Sequence, residues 1–180
     1  MWLLLYMRVL LFICLFCNPV FAQNQEKLIQ AEIELATLLD SVRKAKTDAQ
    51  RMMHNLSLYE AVKELGKLNG ILEYPFDKLT SMSTIKAPGG EFRIFNWNVE
   101  NSNLEHSHFC ILFKKSRGAK KYITIEFKED KFSLSPKPTT MLLPNKWYGA
   151  LYYKIIPVKS GNKTLYTLMG YNGGTRSSNK

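Results

Sequence analysis

From about Glu26 to Ala45, apolar Leu28, Ala31, Leu35, Leu38, Leu39 and Val42 recur at three- and four-residue steps, while Glu26, Lys27, Glu32, Glu34 and Arg43 fill the remaining positions. That spacing predicts one amphipathic helix with its charged residues toward solvent. Thr47-Asp48 offers a second helix cap, and Met52, Met53 and Leu56 continue helical spacing. Ser57-Leu58-Tyr59-Glu60 then has the capping-box pattern, which predicts a helix running through Leu65 and stopping at Gly66. After Tyr74-Pro75 and the turn Ala87-Pro88-Gly89-Gly90 the pattern changes to alternating β-branched and aromatic residues. Five strands are predicted, over 91–99, 107–115, 121–127, 147–158 and 164–171, with turns at Ser116-Arg117-Gly118-Ala119 and Ser160-Gly161-Asn162.

Helices followed by an antiparallel run of strands give an α+β fold: N-terminal helices packed on a curved antiparallel meander of about five strands. The expected organisation is a helical layer over 23–70 and a sheet over 71–180, together one domain, preceded by a cleaved signal peptide over 1–22. The signal peptide is read from Arg8, the apolar run Val9 to Phe16, Asn18-Pro19, and Val20-Phe21-Ala22 ahead of polar Gln23. Met7 offers an alternative start. An apolar stretch this short, interrupted by a proline, falls below the roughly 20 residues a spanning helix needs, so no transmembrane helix is expected in the mature chain. Cleavage leaves 158 of the 180 residues and lowers the formal charge from +10 to +9. It also removes Cys14 and Cys17, so the mature chain keeps Cys110 and has no internal disulfide.

Three clusters carry candidate chemistry. On the first predicted strand Phe95 and Trp97 lie opposite Phe92 and Ile94, and on the fourth Trp147, Leu151 and Tyr153 lie opposite Tyr148 and Tyr152. Both faces are apolar, which means burial on both sides or an open platform of Trp97, Trp147, Tyr148, Tyr152 and Tyr153 that stacks on a ligand. Lys114, Lys115, Arg117, Lys120 and Lys121 surround one hairpin turn and form a candidate anion-binding knob; the same lysines would also serve to protect a strand edge. His106 and His108 share one face of a strand at a spacing some zinc sites use, though no third ligand is specified; His54 and Glu105 are candidates. Cys110, between Phe109 and Ile111, reads as a small buried hydrophobe. The chain has no G-x-S-x-G, H-E-x-x-H, Walker or dinucleotide pattern, and no cofactor is called for.

These readings favour an exported, periplasmic or secreted, non-enzymatic binding or structural protein of the cell envelope. The alternatives are a metal-dependent hydrolase using His106 and His108, and a subunit of a larger envelope assembly. Expected partners are an anionic envelope surface or a protein that pairs with the C-terminal strand 164–171, rather than nucleic acid. That strand carries no proline or inward charge and is expected to be an open edge, followed by a turn-like tail over 173–180 that awaits more chain or another molecule.

The segments Tyr74-Pro75-Phe76-Asp77-Lys78-Leu79 and Phe92-Arg93-Ile94-Phe95-Asn96-Trp97-Asn98 resemble a group of uncharacterised exported proteins of Bacteroidota-type bacteria. Trp147-Tyr148-Gly149-Ala150-Leu151-Tyr152-Tyr153 and Leu165-Tyr166-Thr167-Leu168-Met169-Gly170-Tyr171 are similar to later segments of the same group. The resemblance implies a Gram-negative envelope or secreted protein, and relatives that run on past Lys180; it brings no activity and no functional residue with it.

Overall fold

The computed structural model describes residues 19–116, 118, 122–130 and 141–172. Most of the expected signal peptide, the turn residues Arg117, Lys120 and Lys121, and the tail over 173–180 lie outside the described residues. Helix α1 (Pro19–Lys44) ends on Arg43 and Lys44, which complement the carbonyl end of the helix. Its buried stripe is Leu28, Glu32, Leu35, Leu39 and Val42. Glu32, which spacing alone assigns to the solvent side, thus belongs to the seam.

Helix α2 (Asp48–Glu64) starts at Thr47, whose hydroxyl accepts from the Gln50 amide at 3.2 Å. The helix runs unbroken through Ser57, so the capping-box pattern there is interior sequence rather than a start. Its buried positions are Asn55, Leu58 and Val62, and Met52, Met53 and Leu56 face outward. A short 3₁₀ turn, Leu65–Lys67, closes the helical layer.

Four strands follow as an antiparallel meander: β1 (Ser83–Lys86), β2 (Phe92–Glu100), β3 (His106–Lys115) and β4 (Tyr122–Phe127), in the order β1-β2-β3-β4. The four-residue β1, paired from Ser83↔Asn96 to Lys86↔Arg93, was not expected from the sequence. β2 and β3 pair from Phe92↔Lys114 to Glu100↔His106. The last two strands, β5 (Leu151–Ser160) and β6 (Lys163–Tyr171), form a separate hairpin around Gly161, which takes φ 56° at the expected turn. The α+β architecture stands, with its strands divided between two sheets. The fourth expected strand does not continue the meander, because an apolar sheet face remains to be covered.

Side-chain alternation on β2 accounts for the layering. Phe95, Trp97 and Val99, with Ile111 and Phe113 of β3, pack under the helices against Leu28, Leu35, Leu39, Leu58 and Val62. Phe92, Ile94 and Cys110 point the other way and are covered by Trp147 and Ile155, with Tyr152, Tyr166 and Leu168 at the margin. The helical layer is pinned by polar contacts as well. Trp97 Nε1 donates to Asn55 Oδ1 at 2.7 Å, Tyr59 OH donates to Glu126 at 2.6 Å, and Gly70 N donates to Tyr122 OH at 3.1 Å. Among the described residues, no helix is long and apolar enough to cross a membrane.

Candidate functional site

The hairpin is held on the sheet by a polar clasp. β5 carries a bulge between Tyr152 and Lys154, and a bulge breaks the regular ladder and leaves backbone groups to be satisfied otherwise. Asn96, fully buried on β2, does this: its Oδ1 accepts from Tyr152 N at 2.8 Å and its Nδ2 donates to Tyr152 O at 3.4 Å. Ser83 Oγ donates to the same carbonyl at 2.7 Å. Trp147 Nε1 donates to Tyr152 OH at 2.8 Å, and burial raises the Tyr152 pKa, so the phenol stays neutral.

Beside the clasp, His108 is buried and lies edge-on to the Trp147 ring, with centroids 6.5 Å apart. Glu129 takes both of its polar ends: Oε1 lies 2.8 Å from Nδ1, and Oε2 accepts from the backbone amide at 3.0 Å. The second contact gives β3 an acceptor one step past the place where β4 ends. Gly149 lies against this carboxylate with φ 82°, and a Cβ there would fall 2.3 Å from Glu129 Oε1, so only glycine fits. His106 faces Asn98, with Nδ1 to Nδ2 at 2.7 Å, and the two imidazole centroids are 6.4 Å apart. The histidines do share a face, but no group of three His, Cys, Asp or Glu side chains positioned for a metal occurs among the described residues.

The aromatic platform is not assembled as one surface. Trp97 and Trp147 are core residues on opposite faces of the sheet, and Tyr152 is turned inward by its bonds, so burial on both sides is the reading the structure supports. Tyr148 and Tyr153 remain exposed, at 53% and 59%. Of the basic turn, Lys114 and Lys115 are exposed at the end of β3, and Lys115 pairs with Glu73 at 3.2 Å. Arg117, Lys120 and Lys121 lie outside the described residues. Cys110 is fully buried and burial pushes its thiol pKa up, which removes the thiolate a nucleophile requires.

The outer side of the hairpin includes the strand 164–171 expected to be an open edge. Leu165, Met169 and Tyr171 of β6 and Val158 of β5 are exposed large hydrophobics, Leu165 at 57% and Tyr171 at 62%. Among the described residues β6 pairs with β5 alone, so its other edge presents unpaired backbone groups. Residues 151–171 contain no Asp or Glu, and Lys154, Lys159 and Lys163 are exposed along the same element. Comparison of the chain with protein-family models, with curated proteins and with solved structures finds no match.

Proposed function

We propose that the chain is an exported, non-enzymatic binding protein of the cell envelope that joins a larger assembly by strand addition at β6. The observation that carries this reading is the edge of β6 that pairs with no other strand among the described residues, beside an apolar outer face. A hairpin of two strands is marginal unless it gains a third strand or a packing face, and here one of its faces is already supplied by the clasp. An extended segment laid along β6 would satisfy the open backbone groups and cover Leu165, Met169 and Tyr171. Three lysines without an acidic residue along the hairpin favour a partner segment that alternates apolar and acidic side chains.

Hydrogen exchange tests this directly. An apolar peptide with alternating glutamates should slow exchange of the amides over Thr164 to Tyr171, and the outward double variant Leu165→Lys with Met169→Lys should abolish that protection while leaving the sheet amides unchanged. Failure of such peptides to protect β6 overturns the reading. Concentration-dependent sedimentation that itself protects the edge would instead name a second copy as its occupant.

Export belongs to the same reading. A cut after Ala22 would remove the first four described residues of α1 and keep Asn24, whose Nδ2 donates to Asn69 O at 2.8 Å, and Leu28, which is buried in the core. The intact mass of protein recovered from outside the cytoplasm should therefore correspond to a chain beginning at Gln23. A mass that includes residues 1–22, or a lipid on Cys17, contradicts this.

A further inference from the structure

Helix α2 turns three large apolar side chains outward in just over one turn: Met52, Met53 and Leu56 are exposed, Met53 at 60% and Leu56 at 63%. Scattered singly such residues are ordinary, but a contiguous group beside a hollow marks a binding surface. These three open onto a cavity of about 860 Å³ between α2 and the ends of β3 and β4. On the sheet side the apolar wall is Phe109, whose ring stacks on Trp97 at 5.6 Å and meets Tyr59 edge-on at 6.3 Å. The wall is therefore fixed, while the facing methionines are unbranched and adapt to what lies between. The volume falls in the range of small-molecule sites, which pair an apolar lining with a few placed polar groups.

The polar rim shows which charge a ligand would bring. Glu126 accepts from Tyr59 OH at 2.6 Å and lies 3.7 Å from Lys63, which is also 3.3 Å from Glu60. Burial, with the Glu126 contact, raises the Tyr59 pKa, so the phenol keeps its proton and this bond. Glu129 is held by His108 at 2.8 Å. Lys128 is different: it is exposed and makes no ion pair among the described residues. The register fixes its side. Ile111↔Glu126 and Cys110↔Phe127 are paired, Ile111 packs under the helices and Glu126 meets Tyr59 of α2, so the next pair on that face is Phe109 with Lys128. The rim thus sets one unpaired cation beside the apolar wall, with its carboxylates already engaged.

We propose that this cavity binds a single-chain anionic amphiphile of the fatty-acid class, its chain along Met52, Met53, Leu56 and Phe109 and its carboxylate on Lys128. A chain supplies the apolar area the cavity lacks, and an ammonium pairs with a carboxylate in a charge-assisted hydrogen bond. Strand addition at β6 is independent of this site.

Calorimetric titration of the mature chain with octanoate, octanol and butyrate tests the assignment. Octanoate should bind saturably. Octanol should bind about tenfold weaker, the size expected for loss of one charge-assisted hydrogen bond. Butyrate, shorter by four methylenes, should bind about a hundredfold weaker than octanoate. Lys128→Gln should erase the difference between octanoate and octanol, and Leu56→Glu or Met53→Glu should abolish binding of both. All three side chains are exposed, so the variants should melt as the parent does. The double variant Leu165→Lys with Met169→Lys should bind octanoate unchanged. Absence of saturable octanoate binding at millimolar concentration overturns the proposal, as does equal binding of octanoate and octanol by the parent. Octanoate binding that survives Leu56→Glu and Met53→Glu, or is lost in the β6 variant, would put the chain elsewhere and overturn it too.

Discussion

Glu32→Ala should lower the unfolding free energy by about 3 kcal/mol, the size expected when a buried charged acceptor is withdrawn from two donors. Glu32 is 3% exposed within the apolar seam of α1. One oxygen accepts from Tyr74 OH at 2.7 Å and the other from Lys78 N at 2.7 Å. Burial, aided by Glu32, pushes the Tyr74 hydroxyl up to about 12, so it remains a donor throughout the working pH range. Between these two bonds the chain bends at Phe76. Phe76 takes φ 58°, unusual for a residue with a Cβ, while its ring packs edge-on to Phe95 at 5.0 Å. Arg93 donates to the Tyr74 carbonyl from below and its guanidinium lies over the Phe76 ring. Removing Glu32 leaves two donors without an acceptor and releases the bend that carries Phe76 into the core. Tyr74→Phe, which gives up one of the two bonds, should lose about half as much. Urea denaturation of the three proteins decides the matter; a loss below about 1 kcal/mol for Glu32→Ala would mean that the bend is held by packing alone.

A second substitution should separate the two halves of the molecule. Asn96→Leu keeps a buried side chain of similar volume but strips the Tyr152 amide of its acceptor and its carbonyl of one of two donors. The hairpin should then open from the sheet more often by a factor of about 30, corresponding to about 2 kcal/mol for buried polar groups left unsatisfied. Cys110 reports this, because it is fully buried on the hairpin-facing side of the sheet and is the one thiol of residues 23–180. Its labelling by a thiol reagent should accelerate by that factor, while amides of Trp97 and Ile111, whose side chains lie under the helices, keep their exchange rates. Equal loosening on both sides would show that the clasp is inseparable from the main core.

How far the sequence disclosed this structure depended on whether a signal was local. The alternation along β2 placed Phe95 and Trp97 opposite Phe92 and Ile94, and both faces are indeed covered. The turn at Gly161 was equally plain. Three features were missed, each for a tertiary reason. β1 is only four residues long and lacks a pattern of its own; it exists because β2 offers it an edge. The Ser57 capping box misled because a cap needs an interruption before it, and α2 has none. Glu32 looked like a solvent residue because charged side chains usually are, yet it sits four residues after Leu28 and three before Leu35, on the stripe itself. That coincidence of charge and seam was the available clue, but its two partners lie more than forty residues further along the chain.

The aromatic residues form a conspicuous group in the sequence, and the fold distributes them between two cores and the surface.

The joint between β4 and the hairpin fixes Trp147 by its backbone as well as by its ring. Lys128 N donates to Pro144 O at 2.8 Å, Trp147 N to Lys128 O at 2.9 Å, and Asp130 N to Trp147 O at 2.8 Å, so residues 128–130 and 144–147 meet in a parallel bridge at Glu129 and Trp147. The main sheet takes its register upstream, at Cys110↔Phe127, and the hairpin takes its position downstream, at Asn96 and Tyr152. The bridge thus makes the ring that covers the hairpin-facing side of the sheet a continuation of β4, so that any slip of β4 along β3 carries that cover with it.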